Sequence, residues 1–130
     1  MQLARPHPNC VIERGEEYVR ANVGHGTPAE LEECYRTLAT IVLEHKFKRV
    51  LVVGTSDQHA HSHLAARDAV LAMDVIGVPA GFKIAFVGKS DATLNGYSHA
   101  EIAARDRGLR AKVFRDEPEA IQWLTAPDIH

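Results

Sequence analysis

The sequence predicts an α/β fold: a single domain with a mixed five-stranded sheet and four helices, in the order β-β-α-β-α-β-α-β-α. Three observations predict it. Val50-Leu51-Val52-Val53 and Ile84-Ala85-Phe86-Val87 are short charge-free runs, each closed by a glycine. Such runs suit strands buried on both faces of a helix-covered sheet. Apolar residues recur at three- and four-residue spacing in the stretches around them, which is the helical period. The length, 130 residues, corresponds to about one domain.

Composition narrows the function classes. An apolar share of 45% supports a real core, and a formal charge of -2 disfavours sequence-independent nucleic-acid binding. No apolar run approaches the roughly 20 residues of a membrane span. Residues 1–9 carry one arginine and two prolines but no apolar core of a signal peptide. Cys10 and Cys34 have no CxxC spacing, so two reduced thiols in a cytoplasmic protein are expected. The chain has eight histidines; three of them, His59, His61 and His63, fall close together.

In chain order, residues 1–9 read as an extended tail, because Pro6 and Pro8 lack amide donors. The domain proper is expected over residues 10–126. Cys10-Val11-Ile12 and residues 18–23 read as a β-hairpin turning near Gly15, with Val19, Ala21 and Val23 on its core face. Thr27, Pro28 and Glu30 form a helix start with a capping box. Leu31, Cys34, Tyr35, Leu38, Ile41 and Val42 then make one apolar stripe. His45, Lys46 and Lys48 complement the dipole at the far end. The strand at 50–53 follows, then a polar loop over 55–63. Residues 64–76 read as a second helix stopped by Gly77, with Pro79-Ala80-Gly81 as connector to the strand at 82–89. Residues 90–95 read as a loop. A third helix is expected from Asn95 or Ser98 to Arg107, with Ser98 and Glu101 at capping-box spacing and Gly108 and Leu109 closing it. A short strand over 111–115 and a last helix capped by Asp116, with Ala120, Trp123 and Leu124 inward, complete the chain. The hairpin should be antiparallel and the later pairings parallel.

The C-terminal third carries a resemblance. GFKIAFVG (residues 81–88), AEIAARDRGLRAKVF (100–114) and the acidic cap followed by A-x-x-W-L (residues 120–124) are similar to the tail of SpoIIAA-like proteins, relatives of the STAS domain of anti-sigma-factor antagonists. The resemblance implies a STAS/SpoIIAA-like fold and a regulatory module that acts through protein or small-ligand binding. Some STAS domains are switched by phosphorylation of a serine or threonine at the start of the helix after the third strand. Here Gly54-Thr55-Ser56-Asp57-Gln58-His59 stands in that place, so a phospho-switch falls on Ser56 or Ser62.

Ligands of open α/β sheets gather beyond the carboxyl ends of central strands, which makes the loop 55–63 the candidate site. Thr55, Ser56 and His59, with Lys89 after the neighbouring strand, are the candidate ligand-binding residues. Hydroxyls and amides at a helix start favour a small anion, and Lys89 adds one positive charge. His59, His61 and His63 form an H-x-H-x-H pattern, in which alternate residues of an extended loop face one way. Three imidazoles suit zinc with an open fourth position. Ser98 and His99 adjoin, but no acidic partner stands at a defined spacing for a triad. No nucleophile–base pair or paired carboxylates are legible. The reading is therefore a binding module with a protein partner or a small anionic or lipidic ligand, and with self-association as a homodimer. It has no nucleic-acid partner and no membrane span. The alternative is a metal-dependent or small-anion-binding enzyme that uses the loop 55–63.

Overall fold

The computed structural model describes residues 2–7, 10–15, 17–24, 27–54 and 82–126. In chain order these form β1 (Gln2–His7), β2 (Cys10–Arg14), β3 (Val19–Val23), α1 (Pro28–His45), β4 (Arg49–Gly54), β5 (Lys83–Val87), α2 (Asp91–Asp106), β6 (Arg110–Phe114) and α3 (Glu117–Thr125). The two charge-free runs lie side by side, with Val50 opposite Ile84 and Val53 opposite Val87. Both are buried along their whole length. The hairpin β2–β3 is antiparallel, and β3–β4, β4–β5 and β5–β6 are parallel, as expected.

The sheet has six strands in the order β1-β2-β3-β4-β5-β6, and three helices stand among the described residues. The sixth strand corrects the expected five-stranded architecture, and with it the STAS/SpoIIAA-like fold inferred on that count. The added strand is β1, which the sequence presents as a tail. It pairs antiparallel with β2 through Gln2–Glu13, Ala4–Ile12 and His7–Cys10, with register shifts between these pairs. Pro6 does not prevent this, because an edge strand tolerates proline where an interior one does not. Leu3 and Ala4 pack on the core and anchor the strand. The helix expected over residues 64–76 lies outside the described residues.

Strand alternation sends side chains to two cores. On one face Ile12, Val19, Val50, Val52, Ile84 and Phe86 meet Cys34, Leu38 and Val42 of α1 and Tyr97, Ala100 and Ala104 of α2. On the other, Leu51, Val53, Ala85, Val87 and Phe114 meet Ala120 and Leu124 of α3. Helix α3 is tied down electrostatically. Lys83 is only 5% exposed, and its ammonium donates to the carbonyls of Trp123 at 3.2 Å and Ala126 at 3.3 Å. A cation there meets the negative end of the helix dipole. At the other end of α3, Glu117 forms an ion pair with Arg20 of β3.

The helix ends show which local signals governed folding. The capping box at α1 is present: Thr27 N donates to Glu30 Oε1 at 2.9 Å, and Glu30 N to Thr27 Oγ1 at 3.2 Å. α2 closes on Gly108 at φ 78°, with Leu109 N donating to Ala104 O at 2.9 Å, the expected glycine cap with its apolar follower. The start of α2 is a correction. The helix begins at Asp91 behind Ser90, whose hydroxyl accepts from Thr93 N at 3.2 Å. Residues 90–95 are therefore not a loop. Asn95 and Gly96 weaken helix propensity, but Gly96 is buried and Tyr97 beside it fills the core, so packing overrides them. Ser98 donates to Leu94 O inside the helix instead of capping it. Glu101 accepts from Val113 N at 2.8 Å. That bond covers a backbone donor of β6, the strand at the sheet edge.

Cys10 of β2 and Cys34 of α1 are joined by a disulfide, with Cα atoms 6.1 Å apart. The expectation of two reduced thiols is thus overturned. No spacing rule in the sequence links this pair, because α1 comes to lie against β2 only in the packed fold. Both sulfurs are buried in the core.

Two outcomes follow from this architecture. Leu51→Asp should lower unfolding free energy by about 3–5 kcal/mol, since it buries a carboxylate without a partner; urea unfolding followed by circular dichroism measures it. Reduction of Cys10–Cys34, which closes a loop with a sequence separation of 24, should cost about 3 kcal/mol. A urea midpoint unmoved by a strong thiol reductant, with both cysteines shown reduced by mass, contradicts this.

Candidate functional site

The site expected from the sequence lies at the carboxyl ends of β4 and β5. The two strands are neighbours there, as the expectation required. Of the named residues, Lys89 is described and exposed, standing just beyond the exit of β5. Thr55, Ser56, His59, His61, Ser62 and His63 lie outside the described residues. The anion, phosphate and zinc readings built on them receive no geometry. Among the described residues no group of three histidines, cysteines or carboxylates is placed to hold a metal.

The strand exits themselves are tightly packed. The strand order never reverses, so the sheet lacks the switch point where doubly wound folds open a crevice. α2 closes over the exits instead. A Cβ on Gly54 would stand 2.9 Å from Thr93 Cγ2 and 3.2 Å from Tyr97 Oη, and one on Gly88 would stand 3.0 Å from Leu94 N. Both glycines therefore serve the close approach of α2's first two turns to the strand ends. Gly88 N also donates to Phe114 O at 3.1 Å, tying the exit of β5 to that of β6.

The hydroxyls around these exits bond to one another. Ser90 Oγ lies 3.0 Å from Thr93 Oγ1. Tyr35 of α1 and Tyr97 of α2 share a hydrogen bond of 3.1 Å, and the Tyr97 ring stacks on Phe86 with centroids 5.1 Å apart. Asp91 and Arg115 pair at the exposed rim at 2.6 Å. Sequence reasoning missed the tyrosine pair. Tyr35 was legible as a member of the α1 stripe, but its partner is 62 residues away, and no local pattern links them. Ser98 is spent on Leu94 O, which removes it from any triad with His99.

Burial pushes both phenols up. Tyr97 rises to about 12, against the lowering effect of its bond with Tyr35. Tyr35 rises well above the ordinary value, chiefly by burial and further by the charge of Tyr97 and their hydrogen bond. A separate open-sided cleft of about 330 Å³ lies away from this rim, lined by Glu17, Tyr18, Ile121 and Thr125. It sits at the start of β3, the opposite edge of the parallel strands, and Thr125 Oγ1 there donates to Ile121 O at 2.8 Å.

The tyrosine pair has a pH signature. The folded chain keeps protons that an unfolded tyrosine releases near pH 10, so the pair's contribution is full below pH 10 and falls as pH rises toward 12. Tyr97 alone should account for a loss of about 2 kcal/mol by pH 12. Urea unfolding at a series of alkaline pH values should show a flatter decline in Tyr35→Phe/Tyr97→Phe than in the wild type. Equal slopes would contradict the buried pair.

Compared with protein-family models, curated proteins and solved structures, the chain matches none.

Proposed function

We propose that the chain is a non-catalytic regulatory binding module of the kind its C-terminal third resembles, the SpoIIAA-like proteins. It acts by binding a protein partner or a small anionic or lipidic ligand at the rim beyond β4 and β5. The observation that carries this reading is the division of labour at that rim. Ser90, Thr93, Tyr35 and Tyr97 use their hydroxyls on one another, and Asp91 pairs with Arg115, while Lys89 projects as an exposed cation. Groups engaged in this way hold a surface in shape, and recognition concentrates on loops held by a rigid sheet. In this reading Thr55, Ser56 and His59 complete the rim with Lys89, and phosphate on Ser56 or Ser62 switches it by adding charge.

The proposed setting is cytoplasmic, and the proposed assembly is a homodimer. No helix among the described residues is long and apolar enough to cross a membrane. Disulfides are uncommon in that compartment, but both sulfurs of Cys10–Cys34 are buried, and exchange requires a thiolate to reach them. The bond is thus compatible with a reducing surrounding while the fold stays closed.

The test is a triple variant, Ser56→Ala/His59→Ala/Lys89→Ala. In this reading none of the three supports the core, so its stability should stay within about 0.5 kcal/mol of the wild type. It should fail to retain the protein or ligand that the tagged wild type retains from extract. Sedimentation should show a dimer at high concentration, and a strict monomer there removes the self-association. Turnover of any substrate by the wild type, abolished in the triple variant, would refute the non-catalytic reading.

A further inference from the structure

The edge of the sheet opposite the rim carries a concentration of positive charge that the proposed function does not use. Arg49, Lys83 and Arg110 begin three neighbouring parallel strands and stand directly opposite one another in register. Like charges in that relation repel. Lys83 is engaged by the last carbonyls of α3. Lys46 and Lys48 lie beside this row, in the bend from α1 into β4, and both are exposed. Arg14, at the end of β2, is exposed and places its guanidinium 5.5 Å from the centre of the Phe47 ring. Glu44 and Asp106 are the acids nearest the bends from α1 into β4 and from α2 into β6 in the chain, and Glu13, Glu16 and Glu17 flank Arg14.

One backbone observation sets this bend apart. Lys46 adopts φ 56°, the left-handed conformation in which glycine is at ease and a side chain is not. α2 meets the same requirement with Gly108 at φ 78°. The bend thus carries a cation at a position whose backbone favours glycine, and no hydrogen bond or ion pair of its side chain repays the strain within the described residues. Residues in sparsely populated backbone regions cluster where surfaces do something.

We propose that this amino edge is a docking surface for an acidic segment of a partner protein, centred on Lys46, Lys48 and Arg14 with Arg49 and Arg110 extending it. Charge complementarity selects the occupant. The chain as a whole has a formal charge of -2, so a long nucleic acid or an anionic membrane plane would meet net repulsion beyond the patch. A short acidic segment samples only the local field, because screening limits that field to about 8 Å in physiological salt. The half-buried Phe47 under Arg14 gives the segment an apolar contact beside the charges.

The proposal is independent of the rim on the opposite edge, and its test keeps the two apart. The probe is a short Glu- and Asp-rich peptide, titrated into the isotopically labelled chain and followed by backbone amide shifts. Shifts should concentrate at residues 14, 45–49 and 110. Lys46→Glu/Lys48→Glu should weaken binding by at least about tenfold, and added salt should weaken it as well. Lys46→Gly should raise the melting temperature, by relieving the left-handed backbone, and yet weaken the peptide. That combination separates a binding role from a folding role. Lys89→Ala should leave peptide binding unchanged. Shifts confined to the opposite edge, equal affinity in the double variant, or tighter binding to an oligonucleotide or to phosphatidylserine vesicles than to the peptide would each overturn the proposal.

Discussion

β4 and β5 have no polar side. Val50, Leu51, Val52 and Val53, with Ile84, Ala85, Phe86 and Val87, send apolar side chains both ways, and all are buried. Water must therefore be excluded from both faces at once, and the rest of the described chain is disposed accordingly. α1 and α2 cover one face and α3 the other. A nine-residue helix such as α3 cannot hold itself folded by its own hydrogen bonds. It is held by two anchors at its ends, Lys83 beneath its last carbonyls and Arg20 against Glu117. The burial of one strand pair thus calls for a short helix, and the short helix calls for a buried lysine.

The same economy shapes the carboxyl ends of the strands. Close packing of α2 over Gly54 and Gly88 leaves no room for a Cβ without displacement, and the tyrosine pair seals the space between α1 and α2. Among the described residues, Lys89 and the Asp91–Arg115 pair lie exposed at that end. The described residues at that end form a closed floor. The opposite end differs in kind. Three of its four parallel strands begin on cations, and the helix α1 returns to the sheet through a lysine in an uncomfortable backbone conformation. The two edges of one parallel sheet therefore offer different chemistry to the surroundings.

How much of this was legible in the sequence depended on range. Features settled within four or five residues were readable: the Thr27–Glu30 capping box, the Gly108 cap, the β2–β3 hairpin and the two charge-free strands. Features settled by distant contacts were not. β1 lacks a clean alternation and contains Pro6, so nothing in residues 2–7 announces a strand; its pairing with β2 supplies the order. The start of α2 was hidden by Asn95 and Gly96, whose low helix propensity is outweighed by the burial of Tyr97. The disulfide and the Tyr35–Tyr97 bond join α1 to elements far along the chain, and each partner looks locally like an ordinary core residue. For the candidate site, Lys89 was readable by its position after a strand. The residues 55–63, on which most of the chemistry was placed, are outside what the structure describes.

Among the described residues the sheet of six strands ends in two margins, and each is an invitation to add a seventh. Glu101 answers for one of them. Its carboxylate accepts the Val113 amide at 2.8 Å, reaching from α2 round to β6, and so occupies a donor that an incoming strand would need. A growing fibril or a swapped neighbour would first have to displace a charged acceptor, which holds an amide more tightly than a neutral carbonyl does. On the far side β1 offers a different obstacle, an irregular register interrupted by Pro6. The molecule is finite in the direction of its hydrogen bonds because each margin is closed by a different means, one by a side chain borrowed from a helix and the other by a strand too uneven to serve as a template.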